Sequence, residues 1–191
     1  MVPMMTDMKQ KILSAARATV QDRGYAGLSF RELAKDVGIK SASIYYYYPS
    51  KGELGGALAQ LYTADFAAYL DGLLDASLDQ DACIRKYTDV FRTTLLNENR
   101  MCLGGIMAAE HNELPLEVRT EVVKFSEMNV AWLVRVLSLR TKPRESAESI
   151  RDRALAIFAA IEGAQLVARG REDVSAYDRI VDAYRTAGLL P

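Results

Sequence analysis

Apolar side chains recur along this chain at intervals of three and four residues, the period of one buried helix face. Ile12, Leu13, Ala16 and Val20 form the first such stripe, ended by Gly24. Phe30, Leu33, Ala34 and Val37 repeat the pattern, with Ser29 placed to cap the helix and Gly38 to stop it. Ser41 reads as the cap of a third, very short helix. Ser50 to Glu53 has the S-x-x-E form of a capping box and opens a long helix to about Leu74. Further helices are predicted over roughly 80–97, 102–111, 115–139, 146–169 and 174–188, with Pro115 in a first turn and Pro143 in a break. Strand alternation, repeats and low-complexity segments are absent from the sequence. The predicted fold is all-α, with about nine helices.

The short elements end near residue 48 and long helices begin at 50, which divides the chain into a three-helix head, 1–49, and a helical body, 50–191, sharing the helix 50–74 as a strut. Charge follows the same division. Residues 1–51 hold eight basic and four acidic side chains, whereas the remainder holds 16 basic and 21 acidic, hidden within a net charge of −1. A basic head on an acidic body points to a polyanionic partner for the head. Half of the 191 residues are apolar, yet the longest uncharged run, Leu54 to Ala64, is far short of a membrane helix. No membrane partner is expected. The N-terminus lacks a secretory h-region, and Cys83 and Cys102 are too few for a disulfide framework or a cysteine metal site. A cytoplasmic protein is the expectation.

Ala34, Gly38 and Ile44 stand at helix-turn-helix spacing: a small residue where two helices approach, a glycine in the turn, and an apolar residue returning to the core. Four consecutive tyrosines, Tyr45 to Tyr48, follow. Helical neighbours diverge by about 100°, so the four cannot all be core. Ile44 and Tyr48 are expected to face inward, and Pro49 ends the element after Tyr48. Tyr45 and Tyr46 then share the side of Ser41 and Ala42, which in a helix-turn-helix enters the major groove of double-stranded DNA.

Residues 9–54, above all "ILSAARATVQDRGYAGLSFRELAKDVGIKSASIYYYYPSKGEL", resemble the DNA-binding head of the TetR family of bacterial transcriptional regulators. The resemblance implies that Arg31 reaches a base edge, that Ser41, Ala42 and Ser43 open the recognition helix, and that Tyr45, Tyr46 and Tyr47 belong to the DNA-binding surface. It implies that Lys51 clamps a phosphate and that Ser29 either does the same or is a plain cap. Two departures stand out: Tyr47-Tyr48 replaces the family's usual His-Phe, and Gly52, Gly55 and Gly56 weaken the first turns of the fourth helix, as a soft joint or as weakness tolerated beside a good cap.

In the body, Val174, Tyr177, Ile180, Val181 and Tyr184 form an apolar stripe, and the preceding helix is nearly apolar around Ala154–Ile161. This surplus predicts self-association; the resemblance implies a homodimer through the last two helices, reading an approximate palindrome. Polar residues interrupting apolar rows mark a pocket for a small-molecule inducer of unknown identity: Glu110, Asn129, Glu162 and Gln165, with Tyr69, Phe91, Met107, Met128 and Trp132. His111, the single histidine, reads as a helix-end residue. No cofactor or metal motif occurs, and one histidine leaves little room for a catalytic triad, so an enzyme is not expected. A ligand-responsive repressor is the leading expectation. A DNA-binding protein governed by a protein partner, or an activator, remains open.

Overall fold

The computed structural model describes residues 3–140 and 146–191, with side chains from residue 7 onward; Pro143 lies outside the described residues. Among those residues the fold is all-α. The order is α1 (Pro3–Arg23), α2 (Phe30–Val37), α3 (Ser41–Tyr47), α4 (Lys51–Asp75), α5 (Gln80–Leu96), α6 (Leu103–Ala109), a 3-10 turn (His111–Glu113), α7 (Leu116–Ser138), α8 (Ala147–Gly170) and α9 (Val174–Thr186). None of these helices is long and apolar enough to cross a membrane. Contacts divide the chain into two compact units, one of residues 1–63 and 103–124, the other of residues 64–102 and 125–191.

In the first unit α1 packs on α2 and α6, and α2 packs on α3. The predicted stripes form its core: Ile12, Ala16, Val20, Leu33, Ile44, Leu54 and Leu58 are almost fully buried. Both turn glycines are left-handed, Gly24 at φ 78° and Gly38 at φ 76°. After α2 the N–H of Gly38 donates to Lys35 O and that of Ile39 to Ala34 O, closing the helix end before α3. The cap of α3 is Lys40 rather than Ser41, which is already the first helical residue. Ser29 stands at the N-cap of α2 without a side-chain capping bond. At α4 the Ser50 hydroxyl accepts from Glu53 N–H at 3.0 Å, the capping-box bond read from the sequence.

Two of the four glycines of α4, Gly52 and Gly55, have a packing explanation. A Cβ on Gly55 would lie 2.6 Å from the Tyr25 ring and 2.9 Å from Val118 Cγ2, and one on Gly52 would collide with the Glu117 carboxylate. Bare backbone there lets α4 approach the α1–α2 connection and the start of α7. Gly52 and Gly55 therefore serve close packing instead of forming a soft joint.

In the second unit α5, α8 and α9 pack against one another. The Arg92 guanidinium grips Asp178 with bonds of 2.7 and 3.0 Å, and Tyr177 OH donates to Thr88 O at 2.8 Å, tying α9 to α5. Asp79, Ser146 and Asp173 cap α5, α8 and α9 through their side chains. The apolar stripe expected on the surface of α9 is partly internal: Tyr177 and Val181 are buried within the protomer. The large exposed apolar side chains of this pair lie on α8, at Leu155 (51%), Leu166 (56%) and Val167 (48%).

Candidate functional site

The turn at Gly38 sets α3 against α2 through a single buried anchor, Ile44. One helical turn later Tyr48 is buried too, in extended backbone at φ −139°, with Lys9 Nζ 5.9 Å from its ring centre. The residues between them point elsewhere because of the 100° helical step. Tyr45 is 56% exposed and Tyr46 72%. They are held rather than loose: the Tyr45 ring meets Phe30 edge-on at 4.8 Å, and Tyr46 meets Tyr47 edge-on at 5.3 Å. Two large aromatic faces are thus presented to solvent on fixed supports, beside exposed Ala42 and half-buried Ser41, Ser43 and Tyr47. Arg31 is exposed on α2, and Ser29 is half-buried with its hydroxyl uncommitted to capping. Such a surface offers hydroxyl and guanidinium donors for phosphates and base edges, and ring faces for thymine methyls and sugars.

Lys51 stands apart from this group. Its ammonium donates to Ala26 O at 3.3 Å and lies 4.6 Å from the Tyr25 ring centre. Burial lowers its pKa, opposed by the nearby Glu110 carboxylate. Any phosphate it clamps competes with these internal partners. Tyr25 is buried, and its phenol is pushed up to about 12 by desolvation and then by Glu117.

Glu110 belongs to this same neighbourhood. Its carboxylate accepts the backbone N–H of Tyr25 and, at 3.4 Å, that of Ala26, against the bare backbone of Gly24. It clamps the α1–α2 connection, a role not expected of it from the sequence. Spacing gave no sign of this, because the bond spans 85 residues of sequence. Met107, fully buried, also belongs to the first unit.

The other seven residues expected around an inducer lie in the second unit. Phe91 and Trp132 join an aromatic cluster with Phe66, Tyr87 and Phe125; Tyr87 stacks on Trp132 at 5.4 Å and meets Phe91 at 5.2 Å, and Phe66 lies 5.9 Å from Phe125. Phe66 and Tyr87 were missed, although the Tyr87–Phe91 spacing of four residues is a signal for a shared helix face. Tyr69 stacks on Phe66 at 6.4 Å but is largely exposed, and Met128 is half-buried. The polar members are mostly committed within the fold. Asn129 accepts from Tyr87 OH at 3.0 Å and donates to Phe125 O at 2.9 Å. Gln165 accepts from Cys102 N–H at 2.8 Å and donates to Phe91 O at 2.9 Å. Trp132 donates to Leu70 O at 2.8 Å. These bonds pin helices together, so Asn129 and Gln165 have a structural duty that precedes any ligand. Glu162 differs: both carboxylate oxygens are buried and, among the described residues, only the weakly donating Cys102 thiol acts on them. Elsewhere a polar groove of about 200 Å³ between α5 and α9 is lined by Thr88, Asp89, Arg92, Tyr177, Asp178 and Arg185, among others, and none of these was anticipated as a site.

Comparison with known proteins places this geometry. Residues 12–58 match the family described as bacterial regulatory proteins, tetR family. The crystal structure of a TetR transcriptional regulator from Legionella pneumophila is 33% identical, with a TM-score of 0.87, over 94% of this chain and 96% of that one. The transcriptional regulator AcuR of Cereibacter sphaeroides is 28% identical over 133 residues, which are 68% of this chain but 59% of AcuR. IcaR of Staphylococcus epidermidis, a negative regulator of a biofilm operon, is 40% identical over 47 residues, a quarter of each chain. This chain therefore spans less than two thirds of the length of these two curated relatives.

Proposed function

The chain belongs to the TetR family of bacterial transcriptional regulators, and on that premise we propose that it is a homodimeric repressor that leaves a palindromic operator when a small molecule binds residues 50–191. The observation that carries the reading is the firmly supported exposure of Tyr45 and Tyr46 on α3, directly after a left-handed turn at Gly38. Large aromatics so exposed on a seven-residue helix bury little of their surface; stacked and hydrogen-bonded on DNA they contribute affinity and register. Residues 1–49 act as the DNA-binding head; Ser29, Arg31, Ser41, Ala42, Ser43, Tyr45, Tyr46 and Tyr47, with Lys51 from the start of α4, form the contact set.

The exposed apolar face of α8 supports self-association, since Leu155, Ala159 and Leu166 recur on one side of that helix. The repressor sense follows the negative regulator IcaR, whose likeness covers the head. Release is two-state: a ligand that binds one arrangement of the dimer better lowers operator affinity by the same coupling free energy. The test is selection of bound fragments from genomic DNA, followed by fluorescence anisotropy on the recovered sequence. Tyr46→Ala and Arg31→Ala should each weaken binding at least tenfold, with Arg31→Ala also relaxing base preference. Wild-type affinity should fall steeply with salt, as each neutralised phosphate releases a counterion. Selection that recovers no palindrome, or full affinity in both variants, counts against the proposal.

A further inference from the structure

In the interior of the second unit, polar groups are matched almost throughout: Gln80 donates to Val136 O and Leu137 O, and Asn129, Trp132, Gln165 and Tyr177 are bonded as described. Among the described residues, two depart from this. One is Arg100, whose Nε is unmatched although its guanidinium pairs with Glu98. The other is Glu162 on α8, of which neither carboxylate oxygen receives a full hydrogen bond. The Cys102 thiol lies against it and is a weak donor. Among the described residues no basic side chain eases its charge. A buried carboxylate in that condition is destabilising enough to need a physical reason.

Its surroundings supply one. Phe158, one turn earlier on α8, meets Phe125 at 6.2 Å, and Phe125 continues into the cluster of Phe66, Tyr87, Phe91 and Trp132. Gln165, three residues later, anchors the Cys102 and Phe91 backbones beside it. A carboxyl with only a thiol against it, at the edge of an aromatic cluster, is matched by one chemistry above others. An ammonium group brings donors and opposite charge to the carboxylate, while its apolar body takes the ring faces, with cation–π attraction in addition. A neutral donor would leave the charge uncompensated, and an anion would double it.

We propose that Glu162 is the charged anchor of a binding site for a protonated amine carrying an apolar or aromatic body. This rests on the reading of residues 50–191 as ligand-binding and names the ligand class. The charge state agrees: burial lifts the Glu162 carboxyl to about 7, so an arriving cation drives out a proton. The groups acting on or near it are the Cys102 thiol, between α5 and α6, and the Tyr177 phenol on α9, which burial keeps far above neutrality.

The test is calorimetric titration of the full-length protein with benzyl-, phenethyl- and hexylammonium, beside benzyl alcohol and benzoate. At least one amine should bind ten times more tightly than both controls. Its affinity should rise about tenfold from pH 6 to pH 8, as the ionised fraction of a carboxyl near pKa 7 goes from roughly one tenth to nine tenths. Glu162→Gln should lose at least tenfold and lose the pH dependence, while the exposed Glu148→Gln should retain both. Circular dichroism would establish that the Glu162→Gln variant is folded, and Glu162→Asp, which keeps the charge, should retain part of the affinity. Failure of all three amines, equal affinity in Glu162→Gln, or preference for benzoate overturns the proposal. Operator binding measured on the same samples separates the readings. DNA binding without amine binding refutes the amine site alone, whereas absent DNA binding counts against the regulator.

Discussion

Replacing Glu110 by Gln removes the charge from a carboxylate that holds two backbone N–H groups while leaving its size almost unchanged. The wild-type side chain accepts from Tyr25 and Ala26 just after the left-handed Gly24, and Lys51 reaches the Ala26 carbonyl from the other side. Hydrogen bonds to a charged acceptor contribute about 1.5–3 kcal/mol each. Here one bond is part-buried and the other long and exposed, so the pair is set near the lower end, about 2 kcal/mol. The glutamine retains one acceptor but turns an NH2 toward a second donor. The expected loss of about 2 kcal/mol corresponds to roughly thirty-fold faster local opening. Hydrogen exchange read amide by amide is the assay: Tyr25 and Ala26 should lose protection, while the amides of α8 and α9 keep theirs. Unchanged exchange at Tyr25 and Ala26 would refute the clamp. The connection between α1 and α2 also supports the helices that present Arg31 and Tyr46, so operator affinity should fall in step. A fall in affinity with unchanged exchange would instead assign Glu110 a direct role at the DNA.

Two glycines of α4 should respond oppositely to alanine: Gly55→Ala should destabilise by 1–3 kcal/mol because its Cβ meets Tyr25 and Val118, whereas Gly72→Ala, with nothing within 4 Å, should stabilise by up to about 1 kcal/mol. Denaturant titration checks both, and equal responses would remove the packing explanation. Gly24→Ala and Gly38→Ala share a left-handed φ, but only at Gly24 would the new Cβ meet the Glu110 carboxylate. Gly24→Ala should therefore be the more damaging, and the gap should narrow in a Glu110→Ala background. Glu162 should tie stability to pH. Its folded-state pKa is raised from 4.5 to about 7, so its favourable contribution is complete below about 4.5 and lost as pH rises to about 7, a loss on the order of 3 kcal/mol. Glu162→Gln should flatten that part of the profile and exceed wild type in melting temperature at pH 8.

Helix positions, the left-handed turn at Gly38, the inward Ile44 and Tyr48 and the outward Tyr45 and Tyr46 all followed from the sequence alone, because each depends on neighbours within about four residues. Side-chain period and turn chemistry act over that range. What the sequence left undecided was set by partners remote in the chain. Glu110, Asn129 and Gln165 all interrupt apolar rows and look alike in sequence, yet one clamps a connection 85 residues away and two tie helices 42 and 74 residues apart. Tyr177 and Val181 form a stripe whichever way they face, and only the packing of α9 on α5 and α8 placed them inside the protomer. Glu162 is the reverse case: its sequence shows an ordinary charged interruption, and tertiary packing is what buried its carboxylate with only the Cys102 thiol against it. Local pattern sets which surface a residue offers; the surface brought against it decides whether that residue is core, clamp or site.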